Sequence, residues 1–247
     1  MNSYGLFAED AIQKYKELPE ERNELYKRKY VSLSPDHLLD IFHNESSVPD
    51  NEDEIKELSK SFFVDNAVKF DAVIWGGGHS ISPSSKNINI VQVSEIKMDT
   101  LNSKLYKSSE DKLAALVHAF TREIVFINVA KGEKAKINLL FVNSAQPLAT
   151  QVIVNAEDRS ELELFEWYSS VAQENSANAV MHECVAGAYS NVSVDAVLLL
   201  FTILTTNSST IESCILVMLS FTMVAHTAVQ RTTLRLPDMK LLFMQTS

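Results

Sequence analysis

Between Glu123 and Val197, four apolar stretches, IVFINV, INLLFV, TQVIVN and LELFEW, are separated by AKGEKAK, NSAQPLA and NAEDRSE, and this alternation constrains the fold more than any other feature of the chain. The separators supply the glycine, proline, asparagine and charge that tight turns require. Within the stretches, apolar residues tend to recur at every second position, as they do in half-buried strands. The turns also repeat. Aligning GEKAKINL (132–139) with EDRSELEL (157–164) gives an offset of 25, and aligning the latter with GAYSNVSV (187–194) gives 30. On that alignment Ile137, Leu162 and Val192 are equivalent, as are Leu139, Leu164 and Val194.

A repeat of this length fits a parallel β-solenoid, in which one coil cannot bury its apolar face until its neighbours stack on it. An antiparallel sandwich is the alternative. Glu161 and Glu163 flank the inward Leu162, and their counterparts one coil back are Lys136 and Asn138. A Lys136–Glu161 pair across coils would be exposed and worth ~0.2–1 kcal/mol, so it would help register more than stability. Burial of the aliphatic ladder dominates, at about 1.5–3 kcal/mol per fully buried Leu, Ile or Val.

Residues 1–69 are expected to be helical. SLSPDHLLDIF offers Ser34 as N-cap, Pro35 at the first helical position, and Leu38, Leu39 and Phe42 at helical spacing. Upstream, Ile12, Tyr15, Leu18, Leu25 and Tyr26 are candidate packing points, and NESSVPDNEDEIKELS is expected to be an acidic turn leading into a short helix. Residues 70–122 form a connector of short strands, FDAVIW and NINIVQVSEI, and one helix. In that helix Ser108 and Asp111 have capping-box spacing, and Leu113, Leu116, Val117 and Phe120 define a buried face.

A chain of 247 residues with 32 acidic and 22 basic side chains carries a formal charge of −10, which repels phosphate backbones and anionic lipid surfaces. Neither nucleic acid nor membrane is an expected partner. Two cysteines, Cys184 and Cys214, do not make a disulfide framework, and the opening MNSYGLFAED does not have the form of a secretion signal. A cytoplasmic location is therefore expected.

Three segments could carry chemistry. WGGGHS (75–80) is followed by ISPSSKN, with neither GK[ST] nor a helical pattern, so a tight turn is favoured over a phosphate cradle. MHEC (181–184) puts His182 and Cys184 on one side of a strand, half of a conceivable metal site, although a lone buried cysteine is more often a small hydrophobe. Glu157, Asp158, Glu161, Glu163 and Glu166 could line the acidic groove of a carbohydrate-active β-helix. Their dilution by Lys134, Lys136 and Arg159 favours a solvated face. No catalytic, cofactor-binding or metal-ligating residue is assigned, and the chain is not expected to be an enzyme.

The order of elements matches a known pattern. A charged N-terminus containing KYKELPEERNELYKRKYVSL is followed by a capped helix running into IVFINVAKGEKAKINLLFVNS, and then by TQVIVNAEDRSELELFEWYSS. Over residues 10–197 this resembles the SufB/SufD family of the SUF iron–sulfur cluster assembly machinery. The resemblance implies a right-handed parallel β-helix behind a helical N-terminal region. It also implies a non-catalytic scaffold role, with a SufC-like ATPase and a second SufB/SufD chain as partners and a cluster assembled in the complex. SufB-type members carry a cysteine in an LEGCTAP-like strand end. Here LFEWYSS keeps Glu166 but has Tyr168 or Ser169 at that place, which leans towards the SufD type.

Residues 198–247 depart from all of this. They hold Glu212 and Asp238 against Arg231, Arg235 and Lys240, leaving 30 of the 32 acidic residues before Leu198. Read one nucleotide earlier, the codons from Leu198 onward permit a polar text beginning SSSIHNIDNK, as a further coil would have. A change of reading frame near Val197 is therefore expected, with loss of the helices that would recruit SufC. If the tail is genuine, it is expected to be a buried helix pair or a membrane-attached segment. Neither VDAVLLLFTIL nor CILVMLSFTMVA makes a span of about 20 apolar residues.

Overall fold

A computed structural model describes residues 3–19, 35–43, 50–61, 68–96, 112–170, 176–206, 209–224, 232–235 and 241–245. Helices α1 (Ser3–Glu17), α2 (Pro35–His43) and α3 (Glu52–Ser61) come first. Strands β1 (Ala72–Trp75), β2 (Gly78–Ile81) and β3 (Ile88–Gln92), a 3-10 turn (Val93–Glu95) and helix α4 (Lys112–Phe120) come next. Helix α2 begins at Pro35, where a missing N–H costs nothing. The capping residues Ser34, Ser108 and Asp111, and the packing points Leu25 and Tyr26, lie outside the described residues.

The remaining elements are strands: β4 (Glu123–Val129), β5 (Lys134–Asn143), β6 (Leu148–Ala156), β7 (Glu161–Ser170), β8 (Ser176–Ala186), β9 (Asn191–Thr206), β10 (Ser209–Val224), β11 (Thr232–Arg235) and β12 (Leu241–Gln245). The protein is mainly β, with two mixed sheets. One has the order β10-β9-β7-β5-β1-β2, and the other β11-β8-β6-β4-β3, with β12 also on β8. From β4 to β9 successive strands alternate between the sheets, and every strand pairs in parallel with the one two places on. The sandwich alternative required antiparallel pairs here.

The register corrects the sequence alignment. Ile137 lies opposite Leu164, and Leu162 opposite Val192, so the first offset is 27, not 25, whereas the second is 30 as expected. The error of two residues left every side chain on its proper face, because side chains alternate with period two. It did misassign the partners. Lys134 pairs with Glu161 at 2.6 Å and Lys136 reaches Glu163 at 3.8 Å, in place of the expected Lys136–Glu161 pair.

Backbone conformation at the turns fixes the register. Gly132, Arg159 and Tyr189 occupy equivalent places between β4 and β5, β6 and β7, and β8 and β9, with φ of 72°, 60° and 59°. The turns bond to one another as well as internally. Gly132 N–H donates to the Asp158 carbonyl at 3.0 Å, and Arg159 N–H to the Ala188 carbonyl at 2.8 Å. The Ser160 and Ser190 hydroxyls close their own turns on the Glu157 and Gly187 carbonyls.

Between the sheets lies one apolar core in which Ile137, Leu164 and Val194 from one sheet face Val154 and Cys184 from the other. The outer face of the second sheet is covered by helices. Tyr15, Ile41, Phe42, Leu116 and Val117 pack there on Ala149, Ala177, Ala179 and Met181. On the first sheet Ile55 of α3 packs with Trp75, Leu140 and Val142. Beyond Leu198 the parallel ladder stops: β10 pairs antiparallel with β9 over its full length. The described part of the tail is therefore stranded and is not the buried helix pair that was the alternative, because β9 runs on from a paired strand and offers a ready edge.

Gly132 has open space around it, so a side chain there would feel only the backbone. Gly132→Ala is expected to lower stability by about 1 kcal/mol through left-handed strain. Tyr189→Gly should leave it unchanged or raise it. Urea unfolding of both variants checks the pair.

Candidate functional site

Period-two alternation sends Leu162, Leu164, Glu166 and Tyr168 of β7 inward. The same rule sends Val180, His182 and Cys184 of β8 inward from the opposite sheet. Glu166 lies between Leu139 and Ala196 on its own sheet, and His182 lies opposite Val152. Across the core His182 Nε2 and Glu166 Oε1 are 2.6 Å apart, and the Tyr168 hydroxyl donates to Glu166 Oε2 at 2.9 Å. Tyr168 also stacks on Phe141, with ring centroids 5.1 Å apart. Glu166 is 0% exposed, Tyr168 1% and His182 6%.

A buried carboxylate is tolerated only when hydrogen bonds satisfy it, and here each oxygen has one. The network leaves His182 Nδ1 without a hydrogen-bond partner among the described residues. Burial pushes the Tyr168 phenol well above its ordinary value of 10, helped by the charge and hydrogen bond of Glu166. Burial alone pushes the Cys184 thiol up to about 12. Both groups are thus held in their protonated forms, and a thiol so held is a poor nucleophile and a poor ligand.

The structure separates the residues that the sequence grouped. His182 and Cys184 do share the inward face, but His182 is taken by Glu166 and Cys184 belongs to the apolar core. Among the described residues no three His, Cys, Asp or Glu side chains are placed to hold a metal ion. Glu157 and Asp158 are exposed and accept backbone N–H groups of Lys131 and Ala188 at the turns. Glu161 and Glu163 are exposed beside their lysines, as a solvated face requires. Glu166 is the correction: it lies inside, because its position has the same parity as Leu162 and Leu164, a signal the sequence already carried. The five carboxylates therefore do not line one groove.

The glycine cluster forms the turn of the β1–β2 hairpin, and it leads into β2 where a phosphate cradle would need a helix. At Gly76 a Cβ would lie 2.2 Å from the Gln146 carbonyl oxygen, so the hairpin and the β5–β6 connection touch backbone to backbone. Beside this turn is a cleft of about 400 Å³, lined by Trp75, Gly76–Gly78, Gln92–Ser94, Phe120–Glu123 and Pro147–Ala149. On its wall the Glu123 carboxylate is held by His79 Nδ1 at 2.8 Å. His79 and Glu123 are 44 residues apart in the chain, and no local pattern in the sequence joins them.

Comparison with protein-family models, with curated proteins and with solved structures finds no match to this chain. No helix among the described residues is long and apolar enough to cross a membrane.

Removing one partner of a buried pair strands the other. His182→Ala is expected to cost about 3–5 kcal/mol, whereas the double change Glu166→Met with His182→Met should restore most of that loss. Urea midpoints of the two variants and the parent check this.

The raised Tyr168 and Cys184 values set a direction with pH. The unfolded chain releases these protons at lower pH than the folded one, so the stability is fully present below the ordinary cysteine value of 9 and falls as pH rises towards 12. Thermal melts between those limits should show a falling midpoint, and Cys184→Ala should shrink the fall.

Proposed function

We propose that this chain is a scaffold subunit of the SUF iron–sulfur cluster assembly machinery, of the SufB/SufD kind and closer to SufD. The single observation that carries this is the parallel pairing of β4–β6–β8 and β5–β7–β9 at steps of 27 and 30 residues, with the same turn closing each step. Stacking of that sort is what a right-handed parallel β-helix requires, and connections between parallel strands of one sheet are right-handed in about 98% of cases. The helices that precede the strands and pack on the second sheet fit the helical N-terminal region of the resemblance. In this assignment the cluster is cargo of the complex, formed with a second SufB/SufD chain and a SufC-like ATPase in the cytoplasm, and this chain performs no catalysis.

A change of frame near Val197 belongs to the same proposal. The β7–β9 parallel pairing ends at Tyr168 opposite Leu198, the residue at which charge leaves the sequence. From there, among the described residues, β9 continues paired with the antiparallel β10 alone. The nucleotide sequence of codons 195–240 decides the frame directly.

The test of function is capture of a SufC-like ATPase and a second SufB/SufD chain by this 247-residue chain and by a version with the frame restored after Val197. The restored version should bind both partners, and the present chain should fail to bind the ATPase. Equal ATPase binding by the two versions overturns the frame change. Failure of the restored version to bind either partner overturns the family assignment.

A further inference from the structure

The cleft beside the glycine turn holds one carboxylate, Glu123, that is fixed in place and still has an oxygen open to a donor. From it we infer that the cleft binds a small organic cation, a primary amine with a short apolar or aromatic body. The volume of about 400 Å³ is in the range of small-molecule sites. Such a site is no part of the scaffold role and does not depend on it.

Four separate pieces of chain build the cleft, and each is tied down. In the β1–β2 turn a Cβ on Gly76 would run into the Gln146 carbonyl, and one on Gly77 would lie 2.6 Å from Asp50 Oδ2. The β5–β6 connection is held in turn by Gln146 N–H, which donates to Asp50 Oδ1 at 3.0 Å. In the 3-10 turn Val93 N–H donates to the Arg122 carbonyl at 2.9 Å. At the end of α4 the Thr121 N–H and hydroxyl both donate to the Val117 carbonyl, at 2.8 and 2.6 Å. A cleft formed in advance leaves little to order when a ligand enters.

Glu123 is fixed twice. Its carbonyl accepts the Thr150 hydroxyl at 2.8 Å, and its Oε2 is held by His79 Nδ1 at 2.8 Å, which leaves Oε1 without a hydrogen bond among the described residues. A neutral imidazole donating through Nδ1 orients the carboxylate without cancelling its charge. The Glu123 side chain is 12% exposed, so an ammonium brought to Oε1 meets a carboxylate with little competing water. Arg122, the one cation in the described lining, already has an interaction of its own. A ligand anion thus finds no uncommitted cation, whereas a ligand cation finds Oε1. Trp75, Phe120 and Leu148 supply apolar surface for the body of the ligand. At Gly78 a Cβ would sit 3.5 Å from Trp75 Cζ2, an ordinary contact, so a larger residue can enter there and cover the indole.

The experiment is isothermal titration of the full chain at about pH 8, where an ordinary imidazole is neutral, with three probes: phenethylamine, 2-phenylethanol and 3-phenylpropionate. Saturable binding of phenethylamine at about millimolar concentration is expected. The alcohol has nearly the same shape without the charge and should bind at least about tenfold more weakly, since one charge-assisted contact is worth that much. The acid should bind no better than the alcohol. Glu123→Gln keeps the size of the side chain and should weaken phenethylamine about tenfold, and Gly78→Val should weaken it by covering Trp75. Unchanged melting temperatures for both variants would separate loss of binding from loss of fold, and the ranking of the three probes on the parent chain needs no variant. No saturable binding of phenethylamine overturns the inference, as does equal binding of the alcohol or the acid, or indifference to both substitutions in the folded protein. None of these results touches the scaffold assignment, which is read from partner capture.

Discussion

A single left-handed residue at the centre of each turn governs the rest of the molecule. With Gly132, Arg159 and Tyr189 in that conformation, the chain reverses from one sheet to the other in the same five-residue step each time, from Val129 to Lys134, Ala156 to Glu161 and Ala186 to Asn191. Identical steps let the turns lie over one another and share backbone hydrogen bonds. The strands that leave them are thereby set in one register. Aliphatic burial provides most of the stability, but the turns decide which residues are buried together. Arginine and tyrosine accept this conformation at a cost of about 1 kcal/mol each, which at Arg159 is offset by the bond its N–H makes to the Ala188 carbonyl of the next turn.

Register also explains why an acid, an imidazole and a phenol meet inside an otherwise apolar stack. Glu166 and His182 come from different sheets, on β7 and β8, and they face each other only because both sheets are advanced by the same steps. Such a pair adds little net stability compared with hydrocarbon of the same shape. It does make the alternatives worse: slipping β7 by one residue would turn Glu166 and Tyr168 to the outer face and leave His182 without its acid. Leucines and valines alone would tolerate a slip of two residues, as the ambiguity of their alignment in the sequence shows.

Much of this is legible in the residues themselves. The strands from 123 to 197, their alternation, the helical opening at Pro35 and the buried face of α4 come from periodicity and turn chemistry. The offset of 25 fails because it matches like with like: glutamate and lysine near a turn resemble one another along the text, whereas the position that matters is the left-handed one, which Gly132 reveals and Arg159 and Tyr189 conceal. The other carboxylates around Glu166 point it to the solvated face, although counting by twos from Leu162 places it inside. His79 and Glu123 carry no signal at all, since they are joined only when β2 and β4 come into separate sheets beside one cleft. The two-strand ribbon of β9 and β10 is also invisible as such, because an apolar run by itself does not distinguish strand from buried helix.

The two ladder steps differ by three residues, and the difference lies entirely in the connections at the strand ends away from the three turns. Asn143 and Leu148 pair with Ser170 and Asn178, so a step of five residues from β5 to β6 answers to one of eight from β7 to β8. The three turns keep one length, and the connections at the other end of the strands do not. An insertion at 130–133, 157–160 or 187–190 would shear the ladder, and at 143–148 Gln146 is packed on Gly76, whereas the three extra residues of the longer step fall between 170 and 178. That is where such a chain can lengthen over evolutionary time without renegotiating its core.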